Sequence, residues 1–169
     1  DTVLLTAALM LFTMLPSAMF ANGWLLAKLL LLPVYVTVAH RMFPFFAGNA
    51  VPGYTPWRPL WLLGALWALA LLHLALELTH AYAWLWIADV PLFLLTATLC
   101  LRWWPSGPKP GLLTVLFIGL SWLPVAFVLY SAQSIGYLFT GVYALGRAPA
   151  HALFVGFFGS VLVAMVTRV

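Results

Sequence analysis

Charge is the scarcest feature of this sequence. Of 169 residues, three are Asp or Glu and seven are Lys or Arg, 6% in all, where a soluble domain carries roughly 25%. So few charges do not keep a globular surface in water, which excludes a soluble fold. Cysteine is nearly absent: Cys100 stands alone, so the chain holds no internal disulfide and no multi-cysteine metal site, and this thiol could pair only with another chain. The net charge of +4 comes from basic residues at the ends of apolar runs, where they act as topology and headgroup anchors; nucleic acid is therefore not an expected partner. The chain opens at Asp1, is apolar from Val3, and stops at Val169 directly after Arg168. Both ends read as cuts. The expectation is one piece of a longer polytopic protein whose remaining helices pack beside it.

Hydrophobic residues make up 66% of the chain and the mean hydropathy is +1.11. A helix needs about 20 apolar residues to cross roughly 30 Å of hydrocarbon. The sequence therefore predicts an all-α, polytopic transmembrane helix bundle, a single domain over 1–169 set in the lipid bilayer. Breakers divide it into about six spans, near residues 2–20, 23–46, 60–79, 82–104, 111–132 and 149–167. Asn22 and Gly23 close a first hairpin, a Pro- and Gly-rich connection covers 48–59, and Pro105 to Pro110 is a loop. The stretch 134–145 is too short to cross alone, leaving an interfacial helix or an extension of the fifth span.

Alternating these connections puts Arg41, Arg58, Arg102, Lys109 and Arg168 on one side, and Lys28 and Arg147 on the other. The positive-inside rule turns the first group to the cytoplasm. Pro33, Pro91 and Pro124 fall inside spans and free carbonyls that a neighbour must satisfy. Gly156, Gly159 and Ser160 form a small-residue patch suited to close helix approach, with ordinary packing as its plain role.

Ionisable groups at membrane depth are few. His73, Glu77 and His80 recur at i, i+4 and i+7, which on a helix is one face presenting imidazole, carboxylate and imidazole. Such a face can ligate a metal or relay protons. It can equally be a His73–Glu77 hydrogen bond with His80 at the membrane surface. Asp89, shortly before Pro91, is placed to reach the same interior and to pair with a basic group on another helix. The five methionines and Cys100 could serve Cu(I), though Met in apolar helices is ordinarily core. His40 and Arg41 end the second span as interfacial anchors, whereas His151 heads an uninterrupted apolar run. An imidazole can be an axial haem ligand and a nearby Arg can pair with a propionate.

The run His40-Arg41-Met42-Phe43-Pro44-Phe45-Phe46-Ala47-Gly48-Asn49 resembles the Arg-x-x-Pro-Phe-Phe-x-x-Asn type segment of the NnrS family. Ala150-His151-Ala152-Leu153-Phe154-Val155-Gly156-Phe157-Phe158-Gly159, followed by Met165-Val166-Thr167-Arg168, is similar to that family's His-Ala-Leu-x-x-Gly-x-x-Gly stretch and its Met-x-x-Arg. The sequence around Ser121-Trp122-Leu123 fits more weakly. Ala47, Gly48 and Phe154 depart from the family pattern. The resemblance implies a later-half piece of a bacterial inner-membrane protein that contains haem and copper and acts in the response to nitric oxide, with links to denitrification and protection against nitrosative stress. It makes His151 the leading metal or haem ligand, with Arg41 and Arg168, beside His40, supporting cofactor propionates or interhelical pairing.

Two other readings stand beside it: a proton-coupled transporter or ion-conducting protein using His73, Glu77, His80 and Asp89, and a scaffold whose buried polar residues only pair helices. Whether there is catalysis is left open.

Overall fold

The computed structural model describes residues 23–107 and 110–166. The expected span 2–20, together with Lys109 and Arg168, lies outside the described residues. Among the described residues five helices follow one another: α1 (Gly23–Ala50), α2 (Leu60–Leu78), α3 (Trp86–Trp103), α4 (Gly111–Thr140) and α5 (Ala148–Val166). A 3-10 turn at Tyr82–Trp84 joins α2 to α3. Among the described residues four segments are long and apolar enough to cross a bilayer: Leu60–Leu78, Tyr82–Trp103, Gly111–Thr140 and Ala148–Val166. Their exterior is apolar as well. Leu60, Leu101, Phe139 and Val155 are all exposed, a surface that matches lipid and not water.

α4 sits at the centre, packed on α3, α5 and α1, with α2 closing the bundle between α1 and α3. At 30 residues it is about 45 Å long, well beyond the hydrocarbon thickness. The stretch from 134 is thus resolved as an extension of this helix up to Thr140. Gly141 then caps it in the left-handed conformation at φ 66°. Pro124 lies inside α4, and the carbonyl its missing N–H leaves free, that of Leu120, accepts the Cys100 thiol of α3 at 3.7 Å. The lone cysteine thereby satisfies a proline defect in the neighbouring helix.

α4 and α5 meet through reciprocal small residues. A Cβ on Gly119 would lie 3.3 Å from Ser160 Cβ, and one on Gly156 would lie 2.7 Å from the Trp122 ring. Of the expected patch, Gly156 and Ser160 face α4, whereas Gly159 meets only the Phe154 carbonyl of its own helix. Gly156→Ala is expected to force the Trp122 indole aside and cost about 1–3 kcal/mol, read as a lower midpoint in a detergent thermal-unfolding assay. An unchanged midpoint would show that the contact is soft.

The two ends of the bundle differ. At one, Trp103 Nε1 donates to the Trp57 carbonyl at 2.6 Å and Arg102 lies 5.7 Å from the centre of the Trp57 ring. His40, 2% exposed, bonds through Nε2 to the Pro59 carbonyl at 3.2 Å, its ring against Trp103. These contacts fasten the 51–59 connection to α1 and α3. The opposite end is formed by the α2–α3 turn and the α4–α5 loop.

Candidate functional site

At this second end α2 finishes in a Schellman motif: the Ala81 N–H reaches the Leu76 carbonyl at 2.9 Å and the His80 N–H reaches Glu77 at 3.1 Å. The motif needs a left-handed residue, and His80 supplies it at φ 56°. His80 is thereby turned off the helix, exposed, with Nδ1 2.7 Å from the Tyr82 hydroxyl. The predicted stripe of three is a pair, His73 and Glu77, both buried. The third member comes from α3. His73 Nδ1 lies 2.5 Å from Asp89 Oδ1, while His73 Nε2 lies 3.5 Å from Glu77 Oε2.

Asp89 is fully buried in the first turn of α3, where the helix dipole favours negative charge. Its Oδ2 has no hydrogen-bond partner among the described residues, so His73 provides the described compensation. The Tyr130 ring of α4 covers the imidazole edge-on, centroids 5.0 Å apart. Carboxylates accept and do not donate, so His73 donates from Nδ1 to Asp89, which leaves that nitrogen no lone pair for a metal. Among the described residues no group of three or more His, Cys, Asp or Glu is disposed to hold a metal ion.

Beside this triad opens a cavity of about 580 Å³, within the roughly 300–1,000 Å³ that small-molecule sites occupy. It is lined by Glu77 of α2, Tyr130, Gln133 and Ser134 of α4, and Arg147 and His151 at the α4–α5 loop and the start of α5. Ser134 donates to the Tyr82 carbonyl at 2.8 Å and accepts the Trp86 N–H at 3.0 Å, which fixes the α2–α3 turn on α4. Gln133 Oε1 has no hydrogen-bond partner among the described residues. Tyr82 and Tyr143, which line the cavity, pack with Tyr137 ring on ring, centroids 5.0–6.2 Å apart. Burial, reinforced by Tyr82 and Glu77 nearby, raises the Tyr143 phenol well above its usual range, so it remains an O–H donor there.

His151 is held in a defined tautomer. Its Nδ1 is 2.9 Å from the Arg147 carbonyl one turn earlier; a carbonyl only accepts, so Nδ1 carries a hydrogen and Nε2 is the nitrogen a metal would take. This is how ligating histidines are oriented in metal sites. Directly after His151 the helix changes to a π-helical segment, Ala152–Gly159, that brings Phe154 and Val155 to the cavity. Such segments are frequent at functional sites. The residues fit a haem, with an imidazole for the iron in His151 and a cation for the propionates in Arg147, which lines the cavity where Arg41 does not. They offer copper no ready donor set among the described residues.

The sequence brought His151, Glu77, His73 and Asp89 into consideration, and all but His73 and Asp89 line the cavity itself. His40 belongs to the opposite end and Arg41 is exposed on α1. The tyrosines and Gln133 were not singled out, although four tyrosines within 82–143 ending on one side of a membrane protein were the available signal.

No curated protein and no solved structure matches the chain. The family of the NnrS protein matches residues 2–169, almost its whole length. With its membrane-crossing helices and both motifs in place, the chain belongs to the NnrS family of nitric oxide response proteins.

Proposed function

We propose that this chain is the haem-binding part of a bacterial inner-membrane protein of the nitric oxide response, in which His151 would ligate the iron and Arg147 would pair with the propionates. The observation that carries the reading is the His151 imidazole, its Nδ1–H bonded to the Arg147 carbonyl, at the wall of a 580 Å³ cavity that Arg147 also lines. A haem iron ligated there would supply the affinity for nitric oxide; the protein supplies the imidazole, the cation and an apolar, tyrosine-rimmed enclosure. Copper would draw its donors from outside the described residues. The remaining spans of the expected six, 2–20 and the one within α1, would complete the bundle, with Arg58 and Arg102 towards the cytoplasm and Arg147 opposite.

The test is an optical spectrum with iron and copper analysis of the full-length protein, purified in detergent, oxidised and then reduced. A Soret band with stoichiometric iron is expected; a colourless, iron-free protein that also takes up no added haem would end the reading.

A further inference from the structure

Of the expected stripe, His80 alone is turned off the helix, and its partner there is a phenol. His80 Nδ1 lies 2.7 Å from the Tyr82 hydroxyl. In a neutral imidazole one nitrogen donates and the other accepts. His80 is exposed, so Nε2 can carry its hydrogen into water and leave Nδ1 to accept from Tyr82. The left-handed backbone at φ 56° sets the imidazole in this position.

Tyr82 also lines the cavity, so one side chain joins the enclosed space to an imidazole in water. Its ring stands edge-on to Tyr143 at 5.2 Å and to Tyr137 at 6.2 Å, and those two are 5.0 Å apart. Rings in such contact pass an electron readily. Tyr143 lines the same cavity and keeps its O–H. Glu77 lies within electrostatic range of Tyr82, and a negative charge nearby favours the loss of an electron.

We infer that Tyr82 is a redox-active tyrosine that gives one electron to an oxidant in the cavity while its proton passes to His80. The phenol O–H bond breaks and an N–H bond forms at His80 Nδ1, which leaves a neutral phenoxyl radical beside an imidazolium. The electron goes to a nitrogen-oxide radical of the nitrogen dioxide class, which departs as the nitrite anion. A thiolate at the aqueous face then returns an electron and becomes a thiyl radical, as the imidazolium proton goes back to the phenol oxygen. An oxidising equivalent is thereby drawn out of the cavity, away from His151, to where a soluble reductant reaches it. The pairing rests on the two side chains, and only the choice of a nitrogen-oxide oxidant rests on the nitric oxide reading.

The experiment is flash photo-oxidation of the full-length protein in lipid nanodiscs by ruthenium(III) tris-bipyridine generated in the buffer. Freeze-quenched electron paramagnetic resonance reads the radical, ring-deuterated tyrosine identifies it, and its rate of formation is compared in H2O and D2O. A neutral tyrosyl signal is expected, forming more slowly in D2O because a proton moves with the electron. Tyr82→Phe, which keeps the ring contacts, should lower its yield several-fold. His80→Asn, a residue that also tolerates the left-handed turn, should slow its formation several-fold and shift the largest g value, which reports the hydrogen bond to the radical oxygen. No tyrosyl signal in the native protein, an undiminished one in Tyr82→Phe, or a native rate and g value in His80→Asn would overturn the assignment. Because the oxidant comes from the buffer, a protein that proves to lack haem still answers the question.

Discussion

Haem content is expected to collapse in His151→Ala. The argument is local. His151 stands at the start of α5 with Nδ1 donating to the Arg147 carbonyl, which leaves Nε2 as the nitrogen for a metal. Removing even an outer hydrogen-bond partner of a metal ligand costs roughly 10–100-fold in affinity, and removing the ligand itself should cost more. The residue is exposed and Ala is a better helix former than His, so the fold should tolerate the change. A Soret band reduced at least about tenfold, with an unaltered elution profile, is the expected result. Full retention of haem would take His151 off the ligand position.

The largest loss of stability is expected from His73→Leu. The substitution leaves Asp89 at 0% exposure with neither oxygen bonded to His73, and its Oδ2 has no other hydrogen-bond partner among the described residues. Breaking one side of a buried pair costs about 3–5 kcal/mol, because the stranded charge remains, whereas replacing both partners by apolar residues is often neutral. Thermal unfolding of the purified protein in detergent should therefore show a deep drop for His73→Leu and a substantial return for His73→Leu combined with Asp89→Leu. If the double variant is no more stable than the single one, the His73–Asp89 pair is not what holds α2 to α3.

Much of this was legible in the sequence because lipid imposes a simple rule on it. Every backbone polar group must be satisfied within a helix, so breakers and apolar length alone point to α2, α3 and α5, although α3 begins at Trp86, four residues after the expected 82. The continuation of α4 to Thr140 was half legible, since a stretch of mixed polarity can extend a helix or lie on the surface, and Gly141 decides between them. His80 was misleading for a specific reason. Helical spacing puts it on the face of His73 and Glu77, but a left-handed cap ends the helix at Leu78, and such caps ordinarily announce themselves with Gly. The triad's third member depended on how α3 meets α2, which periodicity does not encode. The π-helical segment after His151 and the Trp122–Gly156 contact are products of packing between α4 and α5.

The His40 motif carried family membership, yet in the fold His40 and Trp103 tie down a connection far from the cavity. Motif strength and site membership are thus separate matters here. The Ala150–Gly159 motif holds both, since it contains the cavity histidine and the glycine that admits Trp122.

The most direct test of the cavity as a haem site is chemical rescue in the full-length protein. His151→Gly leaves a space where the imidazole stood, and free imidazole added to the haem-depleted variant should restore haem binding and a histidine-like Soret band. Rescue that is absent with imidazole, in a variant that folds, or native haem binding without it, would contradict the account.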